Sequence, residues 1–282
     1  IIKEFKPDIC IGTGGYVSGP VIRAAAKLGV KTVIHEQNAY PGITNKMLAK
    51  EVDKVMLAVP DAKKHFDKKA DFAVTGNPVR SKILTANREE ARAKLGVDER
   101  PVVLSFGGSL GARKINEGVA DLIARSGIDG RYQHIHAYGK YGKWFPDLLK
   151  EKGCDLEKAD NLDIREFIND MDVCMAAADL VICRAGAITL SEIQALGKPA
   201  ILIPSPNVAE NHQYHNAMAL VNAGAADIEE KDLTGRLLMQ KADNMLSNPE
   251  KLAEYAKNAR KTAITDANER IYSVIKGVLG LV

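Results

Sequence analysis

Long hydrophobic runs are missing from this sequence. No apolar stretch approaches the roughly 18 residues that a membrane-spanning helix needs, and no secretory leader is visible. Cysteine is scarce. Cys10, Cys154, Cys174 and Cys183 show no C-x-x-C spacing and stand alone or in apolar surroundings. That pattern excludes a disulfide scaffold and argues against a cysteine metal site, pointing to buried reduced thiols and a cytoplasmic setting. Low-complexity segments and short-period repeats are absent too. So is a large excess of either charge: the formal net charge is +3, unevenly spread. Residues 1–80 carry 13 Lys and Arg against 8 Asp and Glu, whereas the remainder carries 26 against 28. A basic first portion suits an anionic partner such as a phospholipid surface or a lipid diphosphate, and equally a plain solvated face. The chain opens on Ile1, and residues 1–7 read as the end of a helix entering a strand, so an upstream segment is expected.

What is present is an alternation of strands and helices over 282 residues, long enough for two domains with ample cores. Short runs at 8–11, 31–35, 54–59 and 71–75 read as strands, as do 101–106, 132–138, 161–166, 179–183, 199–203 and 226–229. Helical patterns lie over 88–95, 171–178, 211–222, 233–246, 249–264 and 268–281, and one from about Ile188 ends at Gly197. Such alternation predicts parallel sheets, whose ligands bind beyond the carboxyl ends of the strands.

Polar and glycine-rich strings fall at those ends. Gly12-Thr-Gly-Gly-Tyr-Val-Ser-Gly-Pro20 follows the first strand; Ser18 is a plausible N-cap with Pro20 near the helix start. Gly107-Gly-Ser-Leu-Gly-Ala-Arg113 follows the strand ending at Phe106. Glycine lets the backbone approach an anion closely at a helix N-terminus, although such turns also serve simply as tight turns. His35-Glu-Gln-Asn38 ends the second strand, with His35 readable as a satisfied core histidine. Arg184-Ala-Gly-Ala-Ile-Thr-Leu-Ser-Glu192 opens a helix whose free N–H groups suit a phosphate. There Glu192 can hold vicinal hydroxyls, or Thr189 and Glu192 can form a capping box. His134 and His136 share a strand face without a third ligand spacing and read as structural. Asp170-x-Asp172 opens a helix and reads as N-capping rather than as a metal pair.

Five strings in order carry a resemblance: G-T-G-G-Y-V-S-G-P, H-E-Q-N with P-G-I-T-N, G-G-S-L-G-A-R, E-F-I-N-D-M, and C-R-A-G-A-I-T-L-S-E with N-H-Q-Y-H-N-A. Together they resemble the MurG family from about Ile9 to the C-terminal helix. The resemblance implies an inverting N-acetylglucosaminyltransferase of peptidoglycan and cell-wall synthesis, and so of cell shape and division. The implied fold is GT-B, α/β, with two Rossmann-like doubly wound parallel-sheet domains facing a cleft. The domains would be 1–80 with 266–282 for the acceptor and 81–265 for the UDP-sugar.

The resemblance also implies the site. Asn38, Arg80, Ser109, the Ile168 backbone, Ala187, Ile188, Thr189, Leu190, Ser191, Glu192 and Gln213 would bind UDP-N-acetylglucosamine. Arg80 and Ser109 would face its diphosphate, Ile168 the uracil, Glu192 the ribose, and Asn38 and Gln213 the sugar. Gly14, Gly15, Tyr16 and Ser18 would meet the diphosphate of an undecaprenyl-linked muramyl peptide at the inner face of the cytoplasmic membrane. No cofactor, metal or nucleic acid is expected. Family members carry an earlier glycine loop with a histidine, a candidate base, that has no counterpart here. The first domain is therefore expected to be truncated at its N-terminus, and no residue present is assigned as catalytic. A glycolipid synthase of the same fold, and a UDP-sugar-binding piece without catalysis, remain alternatives; the acid–base carboxylates of an epimerase have no evident counterpart in this sequence.

Overall fold

The computed structural model describes residues 1–222, 224, 226–227 and 230–281. It falls into two units: 1–79 with 207–216 and 264–282, and 80–206 with 217–263. Residues 207–216, expected in the second domain, thus belong to the first unit.

In the first unit, α1 (Ile2–Phe5), β1 (Ile9–Gly12), α2 (Ser18–Lys27), β2 (Lys31–Glu36), α3 (Ile43–Leu48), β3 (Lys54–Leu57) and β4 (Phe72–Val74) follow one another. The strands form one parallel sheet in the order β1-β2-β3-β4. Parallel pairing needs a crossover, and covering helices leave central strands apolar on both faces. Accordingly β2 is buried over Thr32–Glu36, and Ile22, Ile34, Leu48, Val55 and Leu57 make the core. The last helix of the chain, Ala267–Leu279, packs beside β2.

The second unit opens with α4 (Ser81–Leu84) and α5 (Arg88–Leu95); α5 ends on Gly96 in the left-handed region, as its sequence predicts. Then come β5 (Val102–Phe106), α6 (Arg113–Asp129), β6 (Gln133–Ala137), α7 (Phe145–Glu151), β7 (Leu162–Arg165), α8 (Met171–Ala177) and β8 (Leu180–Cys183). After these follow α9 (Ala187–Leu196), β9 (Ala200–Leu202), α10 (His212–Val221, of which 212–216 belong to the first unit), β10 (Ala226–Asp227), α11 (Gly235–Leu246) and α12 (Pro249–Lys261). Residues 228 and 229 of the last expected strand lie outside the described residues.

The sheet order is β10-β9-β8-β5-β6-β7, parallel throughout. The chain winds from β5 out to β7, then restarts beside β5 with β8. That reversal is a topological switch point, the place where open α/β sheets bind ligands. Phe106 pairs with Cys183, so the turns after β5 and β8 emerge side by side. Beneath them lies a core of Val103, Ile115, Leu122, Phe145, Leu180 and Ile182.

Three capping assignments change. Val17, not Ser18, precedes α2 and already has helical dihedrals (φ −71, ψ −26), so Ser18 is the first helical residue. Its hydroxyl is enclosed beside Gly12, where an added Cβ would lie 2.7 Å from Oγ. The N-cap of α9 is Gly186, which makes Thr189 the third helical residue and removes the capping box. Asp170 does precede α8 but its carboxylate does not cap it, because Arg165 takes it in an ion pair of 2.6 Å.

Candidate functional site

In the first unit, Gly12 pairs with Ile34, which sets the glycine turn after β1 beside the H-E-Q-N string that ends β2. The two are stitched by Gln37, whose Nε2 donates to the Thr13 carbonyl at 3.2 Å. Gly14 and Gly15 have φ of +90 and +76, a region that side chains with a Cβ rarely adopt. Tyr16 beside them is almost fully exposed. A cavity of about 370 Å³ opens here, lined among others by Gly14, Gly15, Glu36, Asn38, Tyr40 and Glu210.

Glu36 is the hub of this region, and sequence reasoning missed its role. Its buried carboxylate accepts from Asn38 N–H and Asn38 Nδ2, both at 3.0 Å, from Gly42 N–H at 3.1 Å and from Asn45 Nδ2 at 2.8 Å. Four donors on one carboxylate fix the loop 38–42 against α3. The charge of Glu36 is thereby spent on structure. Asn216 continues the network: its Oδ1 accepts from Ala39 N–H at 2.8 Å and its Nδ2 donates to Asn38 Oδ1 at 3.0 Å. His35 is a structural residue. Nε2 lies 2.9 Å from the Gly76 carbonyl and Nδ1 3.1 Å from Gln37 Nε2, and burial pushes its pKa down, so the ring is neutral. Tyr40 is clamped by the His215 ring, stacked at 4.6 Å, and by Lys46 Nζ, 4.0 Å from its centroid.

In the second unit the turns at the switch point are built by close backbone packing. Gly111 has φ of +81, and a Cβ there would lie 2.2 Å from the Tyr138 carbonyl oxygen. A Cβ on Gly139 would lie 2.1 Å from Gly111 N. The turn after β6 is bonded to the turn after β5 by Lys140 N–H to the Ser109 carbonyl (3.2 Å) and Tyr141 N–H to the Leu110 carbonyl (3.1 Å). Ser109 itself is exposed.

Helices α6 and α9 both start with no side-chain cap, from Ala112 and Gly186 respectively. Their leading N–H groups are thus not taken by a capping side chain, and their dipoles favour negative charge. In the second turn of α9, Glu192 is 4% exposed and accepts from Arg80 Nε at 2.7 Å. The structure therefore brings together two residues that the sequence named for different parts of a ligand. Ile188 is exposed and Leu190 buried; Ser191 Oγ turns back to the Ala187 carbonyl at 3.1 Å. Ile168 is buried next to exposed Phe167. Arg184 donates to the carbonyls of Ile203 (3.2 Å) and Pro204 (3.3 Å) and to Glu230, tying the turn after β8 to the loop after β9.

His134 and His136 are fully buried, and the Ser105 hydroxyl lies 2.8 Å from His134 Nε2 and 2.8 Å from His136 Nδ1. They stand as a structural pair pinning β5 to β6, as read from their shared face.

Two parallel-sheet α/β units, the second with anion-suited turns at its switch point, have the architecture of the GT-B class. Residues 1–57 match the glycosyltransferase family 28 N-terminal domain and 102–271 its C-terminal domain. The chain belongs to glycosyltransferase family 28, and within it to the MurG family. It is 48% identical over 281 residues to a UDP-N-acetylglucosamine--N-acetylmuramyl-(pentapeptide) pyrophosphoryl-undecaprenol N-acetylglucosamine transferase of Acetivibrio thermocellus, covering 99% of this chain and 75% of the relative. A protein of the same name from Desulforamulus reducens is 45% identical, over 99% of this chain and 76% of that one. Among solved structures, Acinetobacter baumannii MurG superposes with a TM-score of 0.79 at 32% identity, over 98% of this chain and 75% of that one. The S. aureus MnaA-UDP co-structure (TM-score 0.74, 15% identity, 100% and 78% covered) shares the fold alone.

Proposed function

We propose that this chain transfers N-acetylglucosamine from UDP-N-acetylglucosamine to the C4 hydroxyl of undecaprenyl-diphospho-N-acetylmuramyl-pentapeptide, the lipid I to lipid II step of peptidoglycan synthesis. The observation that carries this is the 48% identity to a transferase of that name along 99% of the chain. In the reaction the acceptor oxygen forms a bond to the anomeric carbon as the bond from that carbon to the diphosphate breaks. Configuration inverts, the hydroxyl proton passes to a general base, a role to which no residue present is assigned, and UDP departs with the bonding electrons. The charge that develops on UDP is stabilised by fixed donors: the starts of α6 and α9, the Ser109 turn and the Arg80 guanidinium. Glu192 takes the ribose hydroxyls, the Ile168 backbone the uracil, and the 187–191 turn the phosphates. Asn38 and Gln213 read the sugar. Gly14, Gly15, Tyr16 and Ser18 are assigned to the acceptor diphosphate; the Ser18 hydroxyl is enclosed and its N–H donates to the Gly15 carbonyl at 3.3 Å, so Ser18 acts by holding the turn closed.

Thermal-shift titration tests the donor. UDP-N-acetylglucosamine at a hundred times its dissociation constant should stabilise the fold by about 2.7 kcal/mol, with UDP-glucose and UDP-galactose less effective at the same concentration. Equal shifts for all three sugars would remove the sugar contacts. No shift would remove the donor site.

Peripheral attachment to the inner face of the cell membrane belongs to the same proposal. No described helix is long and apolar enough to cross a membrane. Tyr16 and Val17 lead into α2, and Val21 on that helix and Ile43 and Met47 on the adjoining α3 are all exposed, among Lys27 and the ion-paired Arg23 (with Glu51, 3.1 Å) and Lys50 (with Asp67, 3.0 Å). Apolar side chains rimmed by cations suit an anionic lipid surface. Binding to anionic vesicles is expected to weaken as salt rises; binding indifferent to lipid charge would count against the assignment.

A further inference from the structure

We infer that Asn216 is a positioning residue: it locks the amide of Asn38 to the helix start that carries Gln213, and so sets the geometry with which the transferred sugar is read. The inference rests on the assignment of Asn38 and Gln213 to that sugar.

Asn216 lies in the first turns of α10, three positions after Gln213, where side chains share a helix face. It is 3% exposed. The network through it has one possible polarity. A carboxylate only accepts, so Asn38 must turn its Nδ2 toward Glu36 (3.0 Å). That leaves Asn38 Oδ1 facing Asn216, which must therefore present Nδ2 (3.0 Å). The Oδ1 of Asn216 then accepts from Ala39 N–H (2.8 Å). Reversing either amide would set oxygen against oxygen or N–H against N–H. A carboxylate at one end and a backbone N–H at the other thus dictate both orientations. Asn38 keeps one N–H and one lone pair for a ligand, in a fixed direction. Because Asn216 sits on the Gln213 helix, the two sugar-reading amides are held as a unit.

Asn216→Asp keeps the acceptor for Ala39 N–H but loses the donor to Asn38 and sets an oxygen against Oδ1. Asn38 cannot flip to relieve this, because its oxygen would then meet the Glu36 carboxylate. The affinity for UDP-N-acetylglucosamine, measured by calorimetry, should fall about tenfold, as expected for one lost hydrogen bond. Affinity for UDP should stay as in the parent, while the melting temperature should fall, because the new carboxylate is buried against Asn38 Oδ1. In the Asn38→Ala background the same substitution should cost nothing further, because its effect runs through Asn38. Asn216→Ala, which removes the donor without adding charge, carries the same test should the aspartate variant fail to fold. Equal losses for UDP and UDP-N-acetylglucosamine would overturn the inference, as would additive losses in the double variant. If Asn38→Ala alone leaves sugar affinity intact, the sugar assignment itself falls and the inference with it.

Discussion

Acidification below about pH 6 is expected to cost the second unit about 2.7 kcal/mol of stability per pH unit, well before its carboxylates protonate. The cause is the imidazole pair on β6. Burial pushes His134 far below the ordinary value of 6.5 and takes His136 down to about 3. One serine hydroxyl serves both rings, and it carries a single proton. It donates to one ring and accepts from the other, leaving His134 Nδ1 and His136 Nε2 without a hydrogen bond among the described residues. A proton added here has neither a counter-charge nor an acceptor to meet it.

The sign follows from the folded values lying below the unfolded ones. Neutral burial costs nothing in protonation above 6.5, where both states are neutral. Below that the unfolded chain binds protons that the folded chain refuses, and stability falls until the folded values are reached. Each imidazole contributes about 1.4 kcal/mol per pH unit in that window. Carboxylates held low by partners, such as Asp243 beside Arg125, add their loss only below their ordinary value of 3.8. With total stabilities of about 5–15 kcal/mol for a domain, unfolding should begin near pH 4.5. Urea midpoints at pH 7.5 and 5 in the parent and in a His134→Gln, His136→Gln double variant check this. A variant that keeps the parent's pH slope would show that the two rings are not its source.

Glu192→Ala should weaken UDP binding by about 2 kcal/mol, or about 30-fold, since hydrogen bonds to charged groups contribute about 1.5–3 kcal/mol. The carboxylate is buried in the second turn of α9 and held by Arg80 at 2.7 Å, so it is preorganised and its direction is fixed. Its proposed ligand, the ribose, is common to UDP and every UDP-sugar. The loss should therefore be equal for UDP and UDP-N-acetylglucosamine, unlike the sugar-selective loss expected at Asn216. Glu192→Gln, which retains shape and one acceptor oxygen, should fall between parent and alanine. Because Arg80 and Glu192 form one ion pair, the Arg80→Ala, Glu192→Ala double variant should lose less than the two single losses combined. Unchanged UDP affinity in Glu192→Ala would take the residue out of the site.

The sheets were legible because their information is local. A strand run such as 180–183 is apolar enough to be buried on both faces, and the glycine after Leu95 ends α5 where its pattern says. Caps were legible less well, because a cap depends on the dihedral of one residue. Val17 bends into the helix one position early and takes the role expected of Ser18. Asp170 was read as a cap because Arg165 five positions earlier gave no local signal that it would claim the carboxylate. The polar network was the least legible part. Glu36 could be quoted within a motif, but its bonds to Gly42 and Asn45 and the Asn38 bond from Asn216, 178 positions away, arise only on folding. Asn38 and Glu192 could be named from strings of residues; what holds each of them could not.

The crossing of Gly111 and Gly139 has a consequence for anyone who would re-engineer the turn after β5. Main chain lies directly on main chain there, with no side chain to yield. The segments 107–112 and 138–142 therefore behave as a single inherited part. Transplanting the first from another transferase without the second would drive a foreign backbone into the Tyr138 carbonyl. Chimeras and libraries at this turn should exchange both segments together, or leave both alone.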